Sequence, residues 1–184
     1  MKHEGIVRSA VFSPDGQKIV TAGDDSTTCL WDAATGKQIG ACIKHESYVT
    51  SAVFSPDGQR IVTAEGDAAA RLWDAVTGKQ LGRTMKHRGH VQNAVFSPDG
   101  MKVVTVSYDS TARLWNAATG EQMGANMKHE GIVRSAVFSS GGQKIVTSGD
   151  DNTARLWDAD TGEQIGADIK NGGIINSVIF SPGG

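Results

Sequence analysis

An all-β fold made of repeated four-stranded antiparallel sheets is what this 184-residue sequence predicts, and three observations predict it. The tryptophans fall at Trp31, Trp73, Trp115 and Trp157 and the phenylalanines at Phe12, Phe54, Phe96, Phe138 and Phe180, every interval being 42 residues. Short runs of alternating or β-branched apolar residues are separated by turn residues, and no segment keeps a helical period over about ten residues. Twenty-three glycines and the recurring Ser-Pro-Asp-Gly and Ala-Thr-Gly clusters supply the turns.

The first unit shows how each strand is read. IVRSAVFS (6–13) ends at the turn Pro14-Asp15-Gly16, QKIVTAG (17–23) at Asp24-Asp25-Ser26, and TTCLWD (27–32) at Ala33-Ala34-Thr35-Gly36, before KQIGACI (37–43). Consecutive strands joined by tight turns form a meander, so the sheet is antiparallel. The same pattern gives units at 2–43, 44–85, 86–127 and 128–169, with a partial fifth at 170–184 contributing one extra first strand. Residues 2–43 and 128–169 differ at nine of 42 positions, so the copies fold alike. A lone four-stranded sheet cannot bury both faces, and stacking copies is the solution open to a repeat protein.

Composition narrows the function classes. Lys+Arg 18 against Asp+Glu 20 and a pI near 6.2, without a basic run, give no footprint for nucleic acid or an anionic membrane. No apolar stretch approaches a membrane span and no leader pattern opens the chain, which points to a cytoplasmic protein. Cys29 and Cys42 have no metal spacing and are expected as free, inert thiols, Cys29 standing where other units carry Arg71, Arg113 and Arg155.

With this period, the pairs Trp31-Asp32, Trp73-Asp74 and Trp157-Asp158, the variant Trp115-Asn116 and the Lys-His pairs at Lys2-His3, Lys44-His45, Lys86-His87 and Lys128-His129, the chain resembles the WD-repeat (WD40) β-propeller family, in its bacterial type with near-identical repeats. The resemblance covers the whole chain and implies a β-propeller with four blades. It also implies one internal hydrogen-bond network per blade: His3, Thr21, Asp25 and Trp31; His45, Thr63, Asp67 and Trp73; His87, Thr105, Asp109 and Trp115; His129, Thr147, Asp151 and Trp157. The fifth unit has Asn171 in place of the histidine.

Identical His/Asp/Thr sets in every unit argue for structure over catalysis, because a catalytic centre is one asymmetric constellation. Four of the five histidines lie on separate units, and His87 with His90 is too small a donor set for a closed metal site, so no metal and no cofactor are expected. Binding is sought where the copies differ. After the loop histidine the units carry Ile6, Tyr48, His90, Ile132 and Ile174, and before the network aspartate Asp24, Gly66, Tyr108 and Asp150. The isoleucines fit either burial between blades or an apolar rim.

Tyr48, Glu65, Arg88, His90 and Tyr108 form the candidate rim patch, aromatic and Arg residues being enriched at binding hot spots. The resulting expectation is a non-enzymatic protein-interaction scaffold. Alternatives are a small-ligand or carbohydrate binder or enzyme using the central funnel, and a sensor segment of a larger signalling protein. Four blades are few for a ring, so the chain is expected either to pair as a homodimer closing an eight-bladed ring or to be part of a longer chain.

Overall fold

A computed structural model describes residues 3–181; Met1, Lys2 and Pro182–Gly184 lie outside the described residues, and with them the Lys2 half of the first Lys-His pair. Sixteen strands make four sheets, each four-stranded and ordered as in the sequence. Blade 1 holds β1 (Val7–Phe12), β2 (Lys18–Gly23), β3 (Thr27–Asp32) and β4 (Gln38–Lys44). Blade 2 holds β5 (Val49–Phe54), β6 (Arg60–Glu65), β7 (Ala69–Asp74) and β8 (Gln80–Lys86). Blade 3 holds β9 (Val91–Phe96), β10 (Lys102–Ser107), β11 (Thr111–Asn116) and β12 (Gln122–Lys128). Blade 4 holds β13 (Val133–Phe138), β14 (Lys144–Gly149), β15 (Thr153–Asp158) and β16 (Gln164–Lys170). All pairings are antiparallel, and each blade has an irregularity at the start of its first strand and another between its third and fourth, as at Val7/Ser9 and Thr28/Leu30. No helix in the described residues is long and apolar enough to cross a membrane.

The Trp-Asp pair does two separate jobs. The Asp32 carboxylate accepts from the Thr35 N–H (2.8 Å) and hydroxyl (2.7 Å), which fixes the turn that Gly36 completes at a φ of 67°. Asn116 keeps the essential part of this role, its Oδ1 accepting the Thr119 N–H at 3.0 Å, so the Trp-Asn departure leaves the turn intact.

The core is interfacial. Val20 and Ala22 of blade 1 pack on Val49, Ala52, Phe54, Ile61 and Trp73 of blade 2, and the same lattice positions build the clusters between blades 2 and 3 and between blades 3 and 4. Trp73, Trp115 and Trp157 therefore each lie at the junction with the blade before, the stacking that the pattern requires.

The expectation of free thiols fails: Cys29 and Cys42 are joined in a disulfide across β3 and β4. The reason is geometric. These two positions face each other beside the β3–β4 irregularity, and their equivalents in blade 4, Arg155 and Asp168, face each other too, as a two-bonded ion pair at 2.9 and 3.0 Å. That guanidinium holds the Asp168 carboxyl down to about 2.

Candidate functional site

Blades 1, 3 and 4 share the same internal polar set. In blade 1 the His3 Nδ1 lies 2.8 Å from Asp25, its Nε2 2.6 Å from the Thr21 hydroxyl, and the Trp31 indole N–H donates to that hydroxyl at 2.6 Å. Blade 3 repeats this with His87, Asp109 (3.0 Å), Thr105 (2.6 Å) and Trp115 (2.8 Å). Blade 4 repeats it with His129, Asp151 (3.1 Å), Thr147 (2.7 Å) and Trp157 (2.7 Å). The partners assign a neutral imidazole that donates from Nδ1 to the carboxylate and accepts the threonine O–H at Nε2. Burial pushes His87 and His129 below the usual imidazole range, although the aspartates pull the other way. Burial opposes the Asp151 charge, but bonds from the Glu130 N–H, His129 and Thr153 outweigh it and lower its pKa. In these three blades the histidine, aspartate, threonine and tryptophan groups are paired with one another.

Blade 2 departs from the expected set: His45 and Asp67 are not brought together. Glu65, two residues earlier on β6 and one methylene longer than Asp, takes the Thr63 hydroxyl at 2.7 Å and pairs with Arg71. Asp67 turns out to Arg71 at 2.7 Å, while the His45 Nε2 reaches across to Thr28 of blade 1 at 2.9 Å. The His45 Nδ1 is 3.0 Å from Glu65 yet off the hydrogen-bond line and has no bonded partner. Glu65 is fully buried, so it belongs to this network and leaves the rim patch.

The rim residues divide as sharply. Tyr48, His90 and Tyr108 meet: the Tyr48 hydroxyl lies 2.8 Å from the His90 Nδ1, and the His90 and Tyr108 rings stack with centroids 5.0 Å apart. Arg8 lies over the Tyr48 ring at 5.5 Å and Arg134 over the Tyr108 ring at 6.0 Å, each guanidinium gripped by an aspartate, Asp24 and Asp150. One string, Arg8–Tyr48–His90–Tyr108–Arg134, thus crosses all four blades. Burial, then the Arg8 charge, lowers the His90 pKa, so the ring is neutral at pH 7. Arg8, Tyr48, His90 and Tyr108 border a cavity of about 450 Å³ with Ile6 and Gln92.

Local sequence explains the string. A Cβ built on Gly66 would stand 2.5 Å from the Tyr48 ring, so only glycine lets the tyrosine lie down where other units hold Asp24, Tyr108 or Asp150. Arg88 is exposed but lines a different recess with Arg113, Lys128 and Glu130, apart from the string. Ile6 and Ile174 are exposed, and Ile132 is half-buried. Arg8 and Arg134 were missed by the sequence reading; the signal was Ile-Val-Arg at 6–8 and 132–134 against Tyr-Val-Thr at 48–50 and His-Val-Gln at 90–92. Among the described residues no three His, Cys, Asp or Glu side chains converge as a metal would need.

Stacked four-stranded blades, each pinned by an indole-to-hydroxyl bond, define a β-propeller repeat protein. The family model "WD domain, G-beta repeat" matches residues 1–32, 36–74, 78–116 and 122–158, and the chain belongs to the WD40 repeat family. WD40 arrays serve in general as protein-interaction scaffolds, and that broad class is the one this chain falls in. The chain is also similar to the ribosome biogenesis protein ERB1 of Chaetomium thermophilum, 46% identical over 37 residues, which is 20% of this chain and 5% of that protein. That match is shorter than one repeat, and the chain spans a small fraction of that relative's length.

Proposed function

We propose that this protein is a non-enzymatic scaffold that docks a protein partner on the Tyr48–His90–Tyr108 string. The observation that carries the reading is the contrast between two polar systems. The His/Asp/Thr/Trp sets of blades 1, 3 and 4 are paired internally, whereas the string uses residues the repeat does not require and leaves Tyr108 42% exposed beside an open cavity. Rigid aromatic surface with few rotors, backed by paired arginines, binds with little ordering penalty. The ERB1 match supports the repeat and gives no reason to assign ribosome biogenesis to this chain.

Affinity capture with the parent chain and with a Tyr48→Ala/Tyr108→Ala variant tests this. Proteins retained by the parent and lost by the folded variant support the reading. Identical retention by both overturns it. A small ligand, sugar included, is the second reading, favoured by the same cavity because tyrosine, histidine and Gln92 offer both stacking and hydrogen bonds; it predicts that soluble small molecules, rather than proteins, distinguish the two forms.

A further inference from the structure

The junction between blades 1 and 2 has both its sides within the described residues, yet its outer half is looser than the two junctions that follow. At those, the bulge of the fourth strand reaches the turn after the next blade's tryptophan. The Arg83 N–H donates to the Thr119 carbonyl at 2.8 Å, and the Ala125 N–H to the Thr161 carbonyl at 3.0 Å. Ala41 and Thr77, the matching pair and both among the described residues, form no such bond. A Cβ built on Gly162 would stand 2.7 Å from the Ala125 carbonyl oxygen, whereas one on Gly78 would meet only an Ile43 carbon at 3.5 Å. Leu30 and Ile43 are accordingly half-buried, where Leu72, Leu114, Met85 and Met127 are fully buried. What remains is a cleft of about 190 Å³ between β4 and the turn at 74–78, lined by Leu30, Ile39, Ile43 and Val76.

The receiving turn is intact. Asp74 accepts the Thr77 N–H at 2.7 Å and its hydroxyl at 2.8 Å, and Gly78 has the same positive φ as Gly120. The cause therefore lies on β4, and Ala41 is not it, because Ala125 makes the bond with the same side chain. What sets β4 apart is Cys42, which sits in the bulge and is tied to Cys29 on β3. The equivalent pairs Arg71 with Thr84 and Arg113 with Asn126 carry no cross-link, and there β8 and β12 reach the next blade.

We propose that the Cys29–Cys42 bond is a redox switch of this junction. Oxidised, it draws the β4 bulge onto β3 and holds the cleft open. Reduced, it frees the bulge to seat on the turn at 74–78, with the Ala41 N–H donating to the Thr77 carbonyl and Ile43 buried as Met85 and Met127 are. A dithiol supplies the two electrons. Cys29 is 2% exposed and Cys42 half-buried, so the dithiol's thiolate attacks the Cys42 Sγ. A mixed disulfide forms there, and the electron pair of the broken bond leaves on Cys29, which takes a proton. The dithiol's second sulfur then displaces Cys42 as a thiol, and the dithiol ends as a disulfide.

Amide hydrogen exchange followed residue by residue by NMR on the 184-residue chain tests this. Melting does not, because losing the cross-link alters it whichever way β4 moves. In the oxidised parent Ala41 exchanges fast while Arg83 and Ala125 are protected. Dithiothreitol should slow Ala41 by about tenfold, the effect of one hydrogen bond gained, and leave Arg83 and Ala125 protected, which also shows that the protein stays folded. Cys29→Ser, which cannot form the bond, should show the slow Ala41 without reductant. Ile43→Met, kept oxidised, should leave Ala41 fast, which separates the cross-link from the isoleucine standing where β8 and β12 have methionine. Fast exchange at Ala41 in the reduced parent or in Cys29→Ser overturns the proposal, as does slow exchange there in oxidised Ile43→Met.

Discussion

The Tyr48 hydroxyl stands 2.8 Å from Nδ1 of His90, one repeat period away in sequence. Equivalent positions in blades 1 and 4 hold isoleucines, so the contact exists only where the repeat has been broken twice in succession. The network histidines show the opposite pattern, recurring in every blade and vanishing into the core. Position on the lattice therefore separates most side chains that build the propeller from those free to bind, the buried Glu65 and the Cys29–Cys42 bond being structural exceptions off the lattice.

Acid should destabilise the protein through its buried histidines. Burial holds His87 and His129 below the ordinary imidazole pKa of about 6.5, so the unfolded chain takes up protons first. Their contribution is complete above about pH 6.5 and is lost as pH falls through that value toward the lower folded ones. Melting temperatures measured from about pH 8 to about pH 5 should fall on acidification, with a shallower slope in His129→Gln. A melting temperature that rises across this window would contradict the assignment of neutral imidazoles.

Reduction should loosen blade 1. The Cys29–Cys42 bond spans a sequence separation of 13 and anchors the outer strand β4, most of whose residues are exposed. A loop of that size stabilises by about 3 kcal/mol. Thiol reductant should lower the melting temperature of the parent and leave Cys29→Ser unchanged. Equal melting of the parent with and without reductant would mean that the bond carries no stability. The disulfide runs against the redox argument from which free thiols were expected.

Two arginines should differ widely in worth. Arg71 faces Glu65, which is fully buried, so Arg71→Ala strands a buried carboxylate and should cost about 3 kcal/mol. Arg83 and Glu121 form an exposed pair, and Arg83→Ala should cost less than about 1 kcal/mol. Denaturant unfolding of both variants gives the comparison directly; equal losses would contradict the buried role of Glu65.

Much of this was legible because repetition multiplies each signal. Trp31, Trp73, Trp115 and Trp157 fixed the period, and the strands fall between the same turn residues in every unit. The departures were harder to read. Glu65 displaces Asp67 by the reach of one methylene, a distance no spacing rule resolves. The disulfide had a visible trace, since Cys29 and Cys42 replace both members of the Arg155–Asp168 pair at once, but a single cross-strand exchange is legible only when the register is known. Arg8 and Arg134 are hard to read because their value lies in stacking on residues from neighbouring blades.

The division between lattice and off-lattice aromatics is tested most directly by the thermal and denaturant stability of Trp115→Ala beside Tyr108→Ala. Trp115 is buried and donates to Thr105, so its loss should cost about 3–5 kcal/mol. Tyr108 is partly exposed, and removing it should forfeit only its ring contacts, about 0.5–1.5 kcal/mol. A Tyr108→Ala loss equal to that of Trp115→Ala would show that the string is part of the core, and the docking surface would have to be sought elsewhere.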